Sequence, residues 1–281
     1  MRYLYLRYPE GKTKAVTLSY DDNCIQNIRF ADTISKYGLK CTFNLTAEQP
    51  THRLKQPDIE EHILKNGHEI AVHGFNHCAP GALSPLEGIK EVLNCRLELE
   101  SRYGMIIRGM AYPNSGITRI NPGTDYDTIK NYLKDLGIVY ARTLGGDNNK
   151  FELPTDWYAW MPTAHQINPD LLGYIDEFNN LDVNALYIDR RYPRLFYLWG
   201  HSFEFDRNNN WAYLDEFCEK LAGREDVWYA TNIEIYNYVE AYKSLVFSAD
   251  GNTVYNPTLY EIWFDLNKNL YSIKSGETMK I

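Results

Sequence analysis

The sequence has no apolar run long enough to cross a bilayer: stretches such as Ile70–Val72 and Leu195–Trp199 fall far short of the roughly 20 residues that a spanning helix needs. Cations are in deficit. With 29 Lys+Arg against 37 Asp+Glu the formal charge is −8, and phosphate backbones and anionic lipid surfaces repel such a chain at long range. We expect no nucleic-acid or membrane partner. The opening MRYLYLRYPEGKTK lacks the continuous apolar stretch and small-residue cleavage site of a secretory signal. Cysteines are few: Cys24, Cys41, Cys78, Cys95 and Cys218 are scattered, odd in number and without a C-x-x-C pair. Such a set does not build a disulfide framework. It fits buried thiols in a reducing compartment, so we expect a soluble, cytoplasmic protein.

The composition that remains, 44% apolar and 23% charged, is that of a globular chain with a large core. The oddity is aromatic: 23 Tyr, 11 Phe and 6 Trp make up 14% of the residues. Aromatic faces stack on the apolar faces of sugar rings, which is compatible with a carbohydrate site, although most such side chains pack cores and rims.

Strand and helix signals alternate along the chain. Ala15–Tyr20 reads as a strand ending in Asp21-Asp22-Asn23, and Ile25–Tyr37 follows with helical spacing up to Gly38. Further strands are expected at Lys40–Leu45, Glu69–Val72, Ile107–Tyr112, Ile138–Arg142, Leu195–Trp199 and Val227–Tyr229. Helices are expected around Asp58–Lys65, Ser84–Tyr103, Tyr126–Leu136, from Pro169, over Trp211–Leu221 and over Asn232–Ser244, with a loop-rich stretch at 143–168. Ser84-Pro85-Leu86-Glu87 supplies an N-cap, a proline at the first helical position and a carboxylate three residues on. Seven or so βα units in about 240 residues suit a closed or nearly closed α/β barrel, with an open doubly wound sheet as the competing topology. After Leu245 the pattern changes to short strands and turns, with Asp250-Gly251 as a hairpin signal. The division that follows is a catalytic barrel over 1–244 and a small β appendage over 245–281.

Parallel α/β folds place their sites at the carboxyl ends of the strands. The residues falling there are Asp21 and Asp22, His73 and His77, Ala111-Tyr112-Pro113-Asn114, Arg142, and His201. His73 and His77, four apart, bring two imidazoles to one side of a turn, or else form a polar loop. Adding Asp22 completes a His₂-carboxylate set with room for water and substrate, as divalent metal sites require. Asp21 would then act as general base toward the metal-bound water, unless Asp21-Asp22-Asn23 merely caps the next helix. His201, after a strand and a glycine, could protonate a leaving group, or could be a core histidine.

In order along the chain, Leu-Ser-Tyr-Asp21-Asp22-Asn, His73-x-x-x-His77, Ala-Tyr-Pro-Asn114 and Leu-Trp-Gly-His201 resemble the motifs of the polysaccharide deacetylases, carbohydrate esterase family 4. The resemblance spans about residues 14–240. It implies a distorted (β/α)7 barrel that removes acetyl groups from sugars, with Asp21 as base, Asp22, His73 and His77 as metal ligands, and His201 as acid. One motif departs. Where the family's Arg-x-Pro-Tyr places an arginine that orients the base, this chain has Ala111, and Asn114 replaces the tyrosine whose backbone N–H stabilises the oxyanion. A backbone donor survives that replacement. Arg142 could reach in from another strand for the missing arginine, ahead of Arg108, which sits at a strand's beginning; a surface salt bridge is the other reading. Asp156-Trp157 could correspond to the family's Asp-Trp region, and His165 could line the cleft or belong to the loop.

The expected activity is metal-dependent hydrolysis of N- or O-linked acetyl groups on a small carbohydrate, with zinc the first choice among divalent ions. The alternatives are a relative that hydrolyses a non-sugar C–N bond, such as a ureide or formamide, and a catalytically silent carbohydrate-binding protein.

Overall fold

The computed structural model describes residues 2–47, 54–145 and 148–281. In chain order the barrel region contains β1 (Leu4–Arg7), β2 (Lys14–Asp21), α1 (Gln26–Lys36), β3 (Cys41–Leu45) and α2 (Gln56–Asp58), which runs on as a π-helical turn over Ile59–Leu64. Next come β4 (Glu69–Val72), α3 (Pro85–Tyr103), β5 (Gly109–Ala111), α4 (Tyr126–Asp135), β6 (Tyr140–Arg142), β7 (Ala164–His165) and α5 (Leu171–Asn180). The region ends with β8 (Arg194–Gly200), α6 (Phe203–Arg207), α7 (Trp211–Leu221), β9 (Val227–Tyr229) and α8 (Asn232–Lys243).

The helices form where one face can be buried. In α1 the buried Asn27, Phe30, Ala31 and Ile34 recur at helical spacing, and the Phe30 ring stacks on Tyr20 of β2 with centroids 3.8 Å apart. The expected capping box starts α3: the Glu87 N–H donates to Ser84 Oγ and the Ser84 N–H to Glu87 Oε2. Gly104 closes α3 in the left-handed conformation, φ 63°. Gly88 lets α4 approach, since a Cβ there would lie 2.6 Å from Tyr132 Oη.

The strands run parallel in the order β6-β5-β4-β3-β2-β8-β7. Every residue of β2 is buried, with β8 on one flank and β3 on the other. The ring closes through the segment between β6 and β8. Trp160 bridges Arg142, its N–H donating to the Ala141 carbonyl while the Thr143 N–H donates to its own, and β7 pairs with β8. This is a distorted (β/α)7 barrel built from β2 to β8. Two expectations are corrected here. The stretch 143–168, read as loop, contains the seventh strand, and Val227–Tyr229 is not a stave of the ring: β9 pairs with the early part of β2, Lys14–Val16, below the start of its contact with β3.

Beyond α8 the chain forms β10 (Val246–Phe247), β11 (Thr253–Tyr255), β12 (Ile262–Leu266), β13 (Asn269–Ile273) and β14 (Thr278–Lys280). They make two three-stranded antiparallel sheets, β10-β11-β14 and β1-β12-β13, so the N-terminal strand is part of this C-terminal layer. Leu6, Ile262 and Phe264 share a core with Ile235, Tyr238 and Val239 of α8. Buried Asp265 ties the layer down by accepting from Arg7 at 3.0 Å and pairing with Arg191 at 3.1 Å. No helix among the described residues is long and apolar enough to cross a membrane.

Candidate active site

Because all seven staves are parallel, Asp21, His73, Arg142, His165 and His201 stand at or just past strand carboxyl ends and share one mouth. Two neighbouring carboxylates on a strand would point to opposite faces. Here the chain turns between them. Asp21 ends β2 inside the ring, and Asp22 adopts φ 72°, a left-handed conformation that is costly for a residue with a Cβ. Asn27 holds that turn by donating from Nδ2 to the Asp22 carbonyl at 2.8 Å. His77 (φ 61°) and Asn114 (φ 51°) are strained in the same way, and Asn114 Nδ2 donates to the His77 carbonyl at 2.6 Å. Strain of this kind concentrates where a site demands it.

The result brings Asp22, His73 and His77 together, each offering a ligand atom within 4.8 Å of the others. His73 Nε2 lies 3.1 Å from His77 Nε2, and Asp22 Oδ1 lies 3.5 Å from the same His77 nitrogen. Two nitrogens bound at ~2.0–2.1 Å to one tetrahedral ion sit roughly 3.3 Å apart, so the spacing matches a shared cation. The tautomer matches too. His73 Nδ1 faces the Ala111 carbonyl at 2.9 Å and must donate to it, which leaves the lone pair on Nε2. The donor set therefore fits a divalent ion. Glu91 of α3 braces the loop that carries His77: its carboxylate accepts from the Asn76 N–H at 2.9 Å, Asn76 Nδ2 at 2.6 Å and the Cys78 N–H at 3.3 Å.

Asp21 is fully buried and sits 3.8 Å from His73 Nε2. Its Oδ1 accepts from Asn44 Nδ2 at 2.8 Å, and its Oδ2 is salt-bridged to Arg142. Burial alone would raise this carboxyl, but Arg142, with His73 and His201 behind it, outweighs burial and holds it below the ordinary carboxylate range. Arg142, at the end of β6, thus reaches the Asp21 carboxylate from a different strand than the one that carries Ala111. Its guanidinium also stacks on Trp199 at 4.3 Å.

Two residues beyond Trp199, His201 Nδ1 lies 3.5 Å from Glu204 Oε1. Burial disfavours its protonated form, yet Glu204, Asp21 and Asp22 prevail and raise its pKa. Sequence reasoning missed Glu204, three residues after His201, and left His165 open. His165 ends β7 with Nε2 3.6 Å from Glu204 Oε2, and burial pushes its imidazole down to about 4. Asp156 is not at the mouth: it accepts from Lys130 Nζ at 2.6 Å and Tyr126 Oη at 2.8 Å, both from α4 on the outside of the ring.

The family profile of the polysaccharide deacetylases matches residues 8–141. Among solved structures, a provisionally named polysaccharide deacetylase from Mycobacterium smegmatis is similar at 21% identity over 85% of this chain and 94% of that chain, with a TM-score of 0.58. A family 4 acetyl xylan esterase from Clostridium thermocellum, solved in complex with a cobalt ion, is similar at 17% identity over 79% and 90%, TM-score 0.50. A 4-alpha-glucanotransferase from Thermococcus litoralis is similar at 11% identity over 80% of this chain and 40% of that one, TM-score 0.54. At such identities these likenesses establish the fold alone. Comparison with curated protein sequences gives no match. Residues 8–141, a little under half of the chain, thus match the polysaccharide deacetylase profile, and the solved structures share the barrel fold.

Proposed function

We propose that the protein removes acetyl groups from a carbohydrate, using a divalent ion, zinc in the first instance, held by Asp22, His73 and His77. The observation that carries this reading is the meeting of those three ligand atoms beside a carboxylate that a buried arginine keeps ionised. When bound, such an ion supplies a Lewis acid that lowers the pKa of water and polarises a carbonyl oxygen. Asp21 takes the proton of the attacking water. Arg142 fixes its carboxylate and keeps it charged through the neutral range, at the expense of some basicity. The Asn114 backbone N–H supports the oxyanion, its strained φ fixing the direction of the donor. His201, whose pKa burial lowers but Glu204, Asp21 and Asp22 raise on balance, turns Nδ1 to Glu204 and offers its other nitrogen to the departing amine or alkoxide. The net charge of −8 favours neutral saccharides over polyanionic polymers.

Acetate release from a panel of N- and O-acetylated saccharides, read together with bound metal by elemental analysis, tests this. Asp21→Asn is expected to retain the ion and lose about 10²–10⁴-fold in rate, the range for a general base. His73→Ala is expected to lose both ion and activity. Hydrolysis of ureides instead of acetyl groups, or sugar binding with no acetate released by the wild type, would overturn the reading.

A further inference from the structure

A cavity of about 390 Å³ lies beside the mouth, between the segment that leads from β7 into α5 and the turn that joins α6 to α7. Its volume falls in the range of small-ligand clefts, about 300–1,000 Å³. Four primary amides, Gln166, Asn168, Asn208 and Asn210, share the lining with the rings of Phe205 and Tyr213, and among the described residues no side chain charged at neutral pH lines it. Other clefts differ. One against α3 is lined by Glu87, Lys90 and Glu91, and one against α1 by Arg29, Asp32 and Lys36. Gln166 links the cavity to the site. Only 2% exposed, it donates from Nε2 to the His201 carbonyl at 2.8 Å and to Glu204 Oε2 at 2.7 Å, which fixes the amide and leaves Oε1 with no hydrogen-bond partner. Asn210 Oδ1 is buried in the same condition, and buried acceptors without a partner are rare. The segment after β7 is held in advance of any ligand. His165 Nδ1 accepts from the Ile167 N–H at 3.2 Å, the His165 carbonyl from the Asn168 N–H at 2.9 Å, and Asn168 Oδ1 from the Asp170 N–H at 2.9 Å.

We propose that this cavity is a subsite for a neutral sugar unit adjoining the acetylated one, so that the enzyme acts on uncharged oligosaccharides in preference to single sugars. The preference for longer substrates rests on the deacetylase reading above, while the binding of a neutral sugar does not. A primary amide both donates and accepts, as every sugar hydroxyl does, whereas an ammonium only donates and a carboxylate only accepts. Aromatic faces pack on the apolar face of a pyranose ring, and Tyr213 and Phe205 supply them. A uronic acid or a phosphorylated sugar would meet no cation in the lining and would bury its charge unpaired. The position sets the order of units along the substrate: a sugar against Gln166 sits beside the residue whose amide holds the His201 carbonyl, next to the unit that carries the acetyl group.

Two measurements test it: acetate release from N-acetylglucosamine and from tri-N-acetylchitotriose, and calorimetric binding of cellotriose and of trigalacturonic acid, a neutral and an anionic trisaccharide. The wild type is expected to show kcat/KM at least tenfold higher on the trimer than on the single sugar, and to bind cellotriose but not trigalacturonate. Tyr213→Ala removes a ring and is expected to weaken cellotriose binding about tenfold. Asn208→Asp keeps the shape of an exposed side chain while removing its donors, and is expected to weaken binding at least threefold. In both variants, each checked for an unchanged circular dichroism melt, the trimer-to-monomer ratio should fall at least threefold. No cellotriose binding by the wild type, binding unchanged in both variants, or tighter binding of trigalacturonate overturns the proposal. Cellotriose binding weakened in both variants, with no acetate released from any acetylated sugar, would leave the subsite standing and sink the proposed function. Acetate release at equal rates from monomer and trimer, with no cellotriose bound, would do the reverse.

Discussion

The two ends of the barrel bury polar groups in opposite ways. At the amino end, Glu69 of β4 accepts from Tyr140 Oη at 2.6 Å, Thr42 Oγ1 at 2.7 Å and the Ile233 N–H at 2.9 Å. The network continues without a gap: Asn232 donates its N–H to Thr42 Oγ1 at 3.0 Å and its Nδ2 to Tyr197 Oη at 2.6 Å. No cation is among its partners, and burial drives the Glu69 carboxyl up to about 7. At the carboxyl end the buried acid is held down by charge instead, and Nε and Nη1 of Arg142 and Nδ1 of His201 have no hydrogen-bond partner. A saturated network plugs the barrel; an unsaturated one has spare donors for a ligand. Function has been placed where satisfaction is incomplete.

The comparison breaks most visibly at Arg142. Replacing it with methionine leaves Asp21 buried and unpaired, and we expect a loss of about 3–5 kcal/mol of unfolding free energy, with lysine restoring part of it. Urea denaturation measures this. A loss below 1 kcal/mol would mean that the charge at the mouth is solvated and the contrast false.

Glu69 tests the other end. Its pKa is raised on folding from an ordinary 4.5 to about 7, so the stability it contributes is full below pH 4.5 and is lost as pH rises through 7. That loss is about 3 kcal/mol at 1.36 kcal/mol per pKa unit. Glu69→Gln should remove this slope from the stability–pH curve while acetate release stays within twofold. An equal effect on rate would merge the two ends into one network.

Glu91 is the intermediate case, a saturated acid at the functional end. Glu91→Gln can keep its one oxygen on the N–H groups of Asn76 and Cys78 but then sets its amide NH2 against Asn76 Nδ2, donor to donor, and loosening the support behind a metal ligand in this way costs typically 10–100-fold in metal affinity. We expect about tenfold, roughly 1.4 kcal/mol, in zinc retention against a chelator, with the melting temperature nearly unchanged.

Much of this was written locally. The helical spacing of Phe30 and Ile34, the Ser84–Glu87 box and the alternation of strand and helix place six staves and put Asp21, His73, Arg142 and His201 at one mouth from sequence alone. The seventh stave is invisible because Ala164–His165 has two residues and no periodicity; its pairing with β8 creates it. Glu204 escapes notice for a related reason. It lies in a five-residue helix whose register relative to His165 is set by the closure of the ring. The N-terminal strand is hidden by distance, its partner Ile262–Leu266 lying at the other end of the chain.

That closure passes through one residue. Among the described residues Trp160 makes the one bridge between the sixth stave and the closing segment, and Arg142, which pairs with Asp21, is the residue it bridges. The wall is therefore stitched most thinly beside its most demanding tenant. Any splaying of the seam carries the guanidinium away from the acid, so breathing of the ring and loss of the Arg142–Asp21 pair are one and the same displacement.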